Sequence, residues 1–369
     1  MLSYLERQAS RIRAHLDMPL FTIVLLLMGV GLATVYSATQ SAGVNRLDNQ
    51  IINMLIALAI MLAVAQAAPQ KIMRFALPLY LVALALLIGV ALFGVSVNGS
   101  RRWLSFGLIR IQPSEIMKIA MPMMLAWFFY RHESELKLKH FAIAMGILLL
   151  PTLLILKQPD LGTSLLIGAA GFFVIFFAGL SWKIILGALL AAIAALPLVW
   201  NFVLHDYQRR RILTLFDPGS DPLGAGYHII QSTIAIGSGG VFGKGWLDGT
   251  QTRLEFIPEK HTDFIFAVFS EEWGLLGNCV LLALFIALVG RGLMIAAAAP
   301  TLFSRLLAAA ISLILFIYAF VNMGMVSGIL PVVGVPLPFI SYGGTALVTL
   351  ALGIGILMSI HTHRMLVKK

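Results

Sequence analysis

Cysteine and charge are both scarce in this sequence. The single cysteine, Cys279, excludes a disulfide within the chain and any metal site built from several cysteines. Only 11% of the 369 residues are charged and 60% are hydrophobic, whereas soluble globular proteins carry about 25% charged residues. One soluble core could not bury that much apolar surface. Lipid must therefore surround much of the chain, and the long, continuous apolar runs predict membrane-spanning helices and exclude a β-barrel.

Basic residues outnumber acidic ones and give a net charge of +10. They lie between apolar runs and form no single stripe, so they indicate membrane topology and no nucleic-acid partner. The sequence predicts an all-α membrane protein of about ten transmembrane helices, with both termini cytoplasmic and a single domain over 1–369. The predicted spans are 18–38, 48–66, 75–93, 113–130, 140–157, 161–180, 183–202, 264–290, 306–326 and 342–361.

The longest predicted connection, residues 203–263, joins the seventh and eighth helices on the extracytoplasmic side. Its many Gly and Asp residues predict turns and close backbone approach, with no long regular elements. The stretch YHIIQSTIAI within it is compatible with a short interfacial helix. Interleaved aromatic residues argue against disorder, and loops of this length in compact proteins are usually functional if they are ordered.

Charged residues in or beside the spans are costly there, which makes them candidate site residues. Glu115 and Lys118 are three apart in PSEIMKIAMP and share one helix face, where they form either part of a site or a structural ion pair. Gln112 and Arg110 precede this helix at its outer end. Arg102, in the sequence RRW, suits either phosphate binding or anchoring at the lipid interface.

Three further segments carry polar candidates. In KQPDLGTS, capping of the next helix explains Asp160 but leaves Gln158 unexplained. Arg209 and Arg210 open the long loop and suit either a pyrophosphate or lipid headgroups. The stretch GILPVVGVPLPFISYGG is rich in Pro and Gly, which predicts a re-entrant or cavity-lining loop, and Ser341 offers a hydroxyl there.

The densest polar cluster lies just before the eighth span, in LEFIPEKHTDFIFAVF. Asp263 stands at the edge of that apolar run, where lost hydration raises a carboxyl pKa toward the working range of a general base. Asp263 could instead cap the helix that follows, but the company of Glu255 and His261 favours a catalytic site. These side chains could also bind a divalent cation, although their spacing is not diagnostic.

Taken together, the motifs resemble the SEDS family (shape, elongation, division and sporulation). The matching stretches follow the family's order along nearly the whole chain: GSRRWLSFG, RIQPSEIMKIA, KQPDLGTS, DPLGAGYHIIQSTIAIGSGG, GKGWLDGTQ, LEFIPEKHTDFIFAVFSEEWG and LPVVGVPLPFISYGG. The division branch of the family carries a lysine in the last of these loops. Val332 and Val333 stand there in this chain, so the resemblance is closer to the elongation branch.

The resemblance implies a peptidoglycan glycosyltransferase that polymerises lipid II on the periplasmic side of the bacterial inner membrane during cell elongation. It implies as partners a class B penicillin-binding protein transpeptidase and other membrane proteins of the elongation complex. The family's essential aspartate falls on Asp263, its polar cavity residues on Glu115, Lys118 and Glu255, and its QPD aspartate on Asp160. Arginine or a divalent cation (Mg²⁺ or Mn²⁺) would stabilise the polyprenyl pyrophosphate as it leaves.

Two alternatives from other functional classes stay open at the level of sequence: a lipid II flippase, and a non-catalytic scaffold for a partner synthase. Under the favoured reading Asp263 is the general base. The predicted substrate-binding residues are Glu115, Lys118, Arg102, Arg110, Gln112, Gln158, Asp160, Arg209, Arg210, Glu255, His261 and Ser341.

Overall fold

The computed structural model describes residues 16–40, 46–97, 100–106, 109–204, 206–221, 224–254, 256–257 and 259–363. The helices are α1 (Met18–Gln40), α2 (Leu47–Ala65), α3 (Pro69–Arg74), α4 (Ala76–Phe93), α5 (Pro113–Arg131), α6 (Leu138–Leu156), α7 (Leu161–Phe177), α8 (Trp182–Leu198), α9 (Asp206–Phe216), α10 (Ala225–Gly239), α11 (Thr250–Arg253), α12 (Ile265–Ala297), α13 (Leu302–Val326) and α14 (Thr345–His363). The strands are β1 (Val95–Val97), β2 (Ser100–Phe106) and β3 (Ile109–Ile111).

A helix lies in every predicted span, which confirms the prediction of a helical membrane protein. In the described part of the chain, eight helices are long and apolar enough to cross a membrane. Of the two other predicted spans, α7 is apolar but shorter, and α5 carries a buried glutamate and lysine. The sidedness of the termini and of the long loop remains a prediction, because the terminal residues lie outside the described ranges.

Two of the connections between the spans contain regular structure that the sequence analysis predicted only in part or not at all. Between α4 and α5, three short strands form an antiparallel sheet of order β1-β2-β3, because β-branched and aromatic side chains suit paired strands. The long loop contains the helices α9 and α10. Helix α10 includes the stretch YHIIQSTIAI, which the sequence analysis found compatible with a short helix, whereas α9 was not predicted. Helix α10 is stabilised by packing on α12, which its Gly-rich composition does not reveal.

Helix α13 forms the centre of the bundle. It packs against α5, α7, α12 and α14, and most of its residues are buried, including Phe303 and Tyr318. Helix α8 is the opposite case, because none of its residues is buried within the protein. One side of α8 lines an apolar groove with α6 and α7, and its exposed apolar side chains suit a lipid environment.

A break in α12 fastens the long loop to the bundle. Gly274 has a φ of 63°, and a Cβ added there would lie 2.3 Å from the backbone nitrogen of Gly243. The backbone groups freed by the break pair with the loop after α10: Leu275 N–H donates to the Gly240 carbonyl at 2.9 Å, and Gly245 N–H donates to the Glu272 carbonyl at 3.1 Å. The loop is therefore held in place by main-chain hydrogen bonds.

An ion cluster closes the end of the bundle at which α1 begins, called here the Asp17 end. The buried Asp17 carboxylate accepts hydrogen bonds from Arg291 Nε at 3.0 Å and from an Arg291 terminal nitrogen at 2.5 Å. His361 Nε2 lies 3.2 Å from the same carboxylate. The cluster joins the start of α1 to α12 and α14.

We expect Asp17→Asn to lower the free energy of unfolding by about 3 kcal/mol, because Arg291 would be left partly buried without its anion. Thermal unfolding of the purified protein in detergent measures the change. The control is Glu135→Gln, which breaks an exposed pair with Lys137 and should change stability by less than about 1 kcal/mol. Equal melting temperatures for wild type and Asp17→Asn would contradict the assignment.

Candidate active site

Asp263 lies in the turn that leads into α12, at the end of the bundle opposite Asp17 (the Asp263 end). No side chain caps the N-terminus of α12. The alternative interpretation of Asp263, that it only caps this helix, is therefore wrong. The side chain is partly buried. One carboxylate oxygen would lie 3.3 Å from a Cβ placed at Gly334, so the carboxylate faces the backbone of the loop 327–344 (the last loop).

Hydrogen bonds join the Asp263 turn to the last loop. Asn322 Nδ2, on α13, donates to the carbonyl of Asp263 at 2.8 Å and to that of Val335 at 2.7 Å. Ser341 Oγ donates to the Thr262 carbonyl at 2.7 Å. These two irregular segments therefore satisfy each other's polar groups, as buried non-helical backbone must. The sequence predicted that the last loop would be irregular but did not identify Asn322, which lies in an ordinary apolar helix pattern.

The surroundings raise the pKa of Asp263 to about 6. Burial is the largest cause, the negative charge of Glu259 adds to it, and the positive charge of Arg102 opposes it. Glu259 occupies a left-handed backbone conformation with a φ of 47°, and its carboxylate accepts a hydrogen bond from Thr262 Oγ1 at 3.0 Å. A carboxyl group with this pKa is mostly ionised at neutral pH and still basic enough to take a proton.

Arg102 connects the small sheet to the turn before α7. Its guanidinium lies 3.5 Å from the Asp160 carboxylate and donates to the Pro159 carbonyl at 2.8 Å. Asp160 also caps α7 by accepting from Thr163 N–H at 3.0 Å, so the capping alternative is correct for this residue. Gln158 is buried and donates to the Leu87 carbonyl at 3.3 Å, which gives this side chain a structural contact.

Glu115 and Lys118 form a buried ion pair of 2.5 Å on α5. The Lys118 ammonium lies 5.2 Å from the centre of the Tyr318 ring, and the second carboxylate oxygen of Glu115 is buried without a hydrogen-bond partner. The pair is therefore nearly neutral as a unit, yet it retains one free acceptor.

A lateral groove of about 630 Å³ runs beside this ion pair between α2, α4, α5 and α14. Gln112, Glu115, Gly344 and Thr345 line the groove where α5 and α14 begin, called here its polar end, and Asn53 and Thr349 add polar groups to the lining. Its apolar wall is formed by Ile56, Leu79, Ile111, Ile116, Ile119, Val348 and Leu352. Since Gly344 ends the last loop, which also faces Asp263, the same loop borders both the groove and the carboxylate.

His261 is held by Arg46, a residue that the sequence analysis did not single out. Arg46 hydrogen-bonds His261 Nε2 and lies 5.7 Å from the centre of the Tyr342 ring. Burial and the neighbouring Arg46 lower the pKa of His261, so the neutral ring accepts this hydrogen bond. Arg46 belongs to no recognisable motif, and only the fold shows that it lies here.

The remaining predicted residues are not brought to Asp263 by described contacts. Arg209 contacts Asp206 and the Asn201 carbonyl within α9 and the end of α8, and Arg210 is exposed on α9. Arg110 pairs with Ser105 through the backbone of β3 and β2. Glu255 lies outside the described residues. Among the residues that the structure describes, no group of three or more His, Cys, Asp or Glu could hold a metal ion.

The chain is similar to proteins of known activity along almost its whole length. The family model FTSW_RODA_SPOVE, described as a cell cycle protein, matches residues 17–366. The peptidoglycan glycosyltransferase MrdB of Escherichia coli strain K12 is 52% identical over 97% of this chain and 96% of its own. The stage V sporulation protein E of Bacillus subtilis is 35% identical over 94% and 97%, respectively.

Solved structures show the same fold. A chain from a peptidoglycan synthase complex, in which polymerization and crosslinking are coordinated, matches with a TM-score of 0.81 and 33% identity over 94% of this chain and 98% of that one. The crystal structure of the rod shape determining protein RodA of Thermus thermophilus matches with a TM-score of 0.72 and 28% identity over 94% and 97%.

We expect charge changes around Asp263 to move its pKa in opposite directions. Glu259→Gln removes a negative charge and should lower this pKa, whereas Arg102→Gln removes a positive charge and should raise it. Infrared difference spectroscopy, with Asp263→Asn as the reference, follows the titration. Glu133→Gln, an exposed change in the short turn Glu133–Glu135 after α5, should leave it unmoved. Shifts of the same sign in both test variants would refute the proposed surroundings.

Proposed function

The chain belongs to the FtsW/RodA/SpoVE (SEDS) family and is a peptidoglycan glycosyltransferase, and we propose that it polymerises lipid II with Asp263 as its general base. One observation carries the assignment of the base. Asp263 is a desolvated carboxyl group with a pKa of about 6 that neither caps a helix nor forms an ion pair described in the structure. Asp160, by comparison, is engaged by Arg102 and by the start of α7.

In the proposed reaction, Asp263 takes the proton from the 4-hydroxyl of the acceptor's N-acetylglucosamine. The hydroxyl oxygen then forms a bond to C1 of the donor's N-acetylmuramic acid, while the bond from C1 to the pyrophosphate oxygen breaks. Polyprenyl pyrophosphate departs with that electron pair, and the proton on Asp263 passes to water. A single displacement inverts the configuration at C1, as expected where one base acts without a partner nucleophile.

The leaving pyrophosphate needs positive charge, and Arg102 is the cation nearest to the proposed base, as its effect on Asp263 indicates. Its Nε is buried without a hydrogen-bond partner, and an arginine fork suits phosphate oxygens. A divalent cation, Mg²⁺ or Mn²⁺, is part of the proposal as well. Such ions commonly bind one or two carboxylates together with substrate phosphates, and Asp263 and Glu259 are the acidic groups available. When bound, the ion would neutralise the leaving group.

The lateral groove is proposed to hold the polyprenyl tail. Its apolar wall matches a hydrocarbon chain, and its polar end at Gln112 and Glu115 lies where the tail would meet the pyrophosphate and sugars. Lipid II thus enters sideways from the bilayer. The substrate never has to cross the membrane during the reaction, which separates this reading from that of a flippase.

The Asp263 end is proposed to face the periplasm, with the protein in the bacterial inner membrane. The basic residues Arg74, Arg131 and Arg291 lie toward the Asp17 end, as expected for a cytoplasmic face. The likeness to MrdB and to a chain of a synthase complex supports a role in cell elongation. It also supports a class B penicillin-binding protein as crosslinking partner, within a larger set of elongation-complex membrane proteins.

We expect Asp263→Asn to reduce glycan polymerisation from lipid II by at least about 100-fold, because general-base catalysis typically contributes that much. Asp248→Asn is the matched control, since this exposed carboxylate of the long loop pairs only with Arg253 among the contacts described. The wild-type rate should fall as the pH drops below about 6, because Asp263 is protonated there.

The assay uses purified protein, with and without the transpeptidase partner, and measures glycan chains by gel electrophoresis. Polymer made by Asp263→Asn would refute the general base. Lipid II movement across vesicles without any polymer would favour the flippase, and polymer only from the partner would favour the scaffold.

We expect Val348→Trp to raise the KM for lipid II about tenfold by filling the groove. Displacing two methylene groups of the tail costs about 1.6 kcal/mol of binding free energy. Steady-state rates at varied lipid II concentration provide the measurement. Val280→Trp, an exposed position on α12, is the control for a new tryptophan at the lipid surface. An unchanged KM in Val348→Trp would show that the tail binds elsewhere.

A further inference from the structure

One amide side chain in the centre of the bundle holds two separate backbone segments of the site. Asn322 is fully buried on α13. Both protons of its Nδ2 are used, one for the Asp263 carbonyl at 2.8 Å and one for the Val335 carbonyl at 2.7 Å. No other nitrogen of the described hydrogen bonds joins the Asp263 turn to the last loop through two carbonyls.

Both carbonyls belong to backbone next to the Asp263 carboxylate. One belongs to Asp263 itself, and the other belongs to Val335, whose neighbour Gly334 faces the carboxylate oxygen. Gly334 has a φ of 74°, a conformation that brings its backbone close without a side chain in the way. Fixing both carbonyls therefore fixes the distance between the carboxylate and the backbone of the last loop, which shields the carboxylate from water.

The same helix reaches the other half of the site. Tyr318, one turn before Asn322 on α13, lies under the Lys118 ammonium, and Lys118 pairs with Glu115 beside the groove. Helix α13 is the most central helix of the bundle. A rigid central element is suited to hold a reacting group within the few tenths of an ångström that catalysis requires.

We infer that Asn322 is a positioning residue that holds Asp263 through its main chain and keeps its carboxylate against the last loop. The inference rests on the proposed function of Asp263 as general base. Asn322 bonds to carbonyl oxygens and not to the carboxylate, so it acts through Asp263. Only a side chain with two N–H donors at this length satisfies both carbonyls, which an aspartate or a leucine of similar size cannot do.

The test compares Asn322→Asp, Asn322→Ser and wild type in the lipid II polymerisation assay. Asn322→Asp keeps the shape but places an acceptor against two acceptors, and Asn322→Ser keeps one donor. We expect kcat to fall about 10- to 100-fold in Asn322→Asp, as for a misplaced reacting group, and by less in Asn322→Ser. The KM for lipid II should stay within about twofold of wild type, because the groove is untouched.

The pH profile separates positioning from mere loss of structure. When the carboxylate gains water, its pKa moves back toward that of an ordinary aspartate, so the acid limb of the rate profile should shift to lower pH in Asn322→Ser, which adds no charge. The matched control is Ser312→Ala on the same helix, a fully buried hydroxyl that donates only to Ala308 of its own helix. It should change neither kcat nor the pH profile. Melting temperature and gel filtration check folding, and Asn322→Ser carries the test if Asn322→Asp does not fold.

Two results overturn the inference. The first is a wild-type kcat in Asn322→Asp or, if that variant does not fold, a wild-type kcat and pH profile in Asn322→Ser. The second is a residual rate in Asp263→Asn that falls further when an Asn322 variant is added, since a residue acting through Asp263 has nothing left to position. Failure of the proposed function looks different, because there Asp263→Asn itself would remain active.

Discussion

The site depends on how two stretches of irregular backbone satisfy their hydrogen bonds at the edge of a lipid-embedded bundle. Main-chain polar groups cannot be left unpaired where water is scarce. The Asp263 turn and the last loop meet this constraint by bonding to each other and to Asn322, and Ser341 adds its hydroxyl to the same set. The carboxylate then has no helix to cap and no cation in direct contact among the bonds described. Its raised pKa follows from this arrangement.

Two aspartates in neighbouring turns show how surroundings divide the roles of chemically identical groups. Asp160 accepts from the first turn of α7 and lies by Arg102, so its negative charge is stabilised and its lone pairs are in use. Asp263 faces Gly334 and feels the repulsion of Glu259. Arg102 lies between these two environments. It pairs with Asp160 and only moderates the rise in the pKa of Asp263. Asp263 therefore stays basic, and the guanidinium stays partly free for a phosphate.

The sequence predicted the helical spans and singled out the candidate carboxylates, but did not predict how the segments lie together. Composition and apolar run length sufficed for the helices in the ten predicted spans, because bilayer thickness sets the length of a spanning helix. Helix α9 was not predicted, and α10 was expected only as a short interfacial helix, since packing on α12 and not local propensity stabilises its full length. Asp263 and the pair Glu115–Lys118 were identified as candidates, because a charged side chain beside an apolar span is costly whatever the tertiary structure. Arg46 and Asn322 were not, because only tertiary structure brings them to His261 and Asp263.

A buried ion pair beside an apolar groove has a specific consequence for a substrate that is part lipid and part sugar. Lys118 neutralises Glu115 at 2.5 Å, and the Tyr318 ring covers the ammonium, so the pair adds little net charge to a wall that must admit hydrocarbon. The second Glu115 oxygen keeps an unused acceptor next to Gln112 at the polar end. A hydroxyl or amide of the headgroup could donate to this oxygen. The binding would not require further loss of hydration by Glu115, because its carboxylate is already buried and paired with Lys118. Under the proposed function, the groove would recognise where the tail stops and the sugars begin, because its apolar wall suits hydrocarbon and its polar end suits the headgroup.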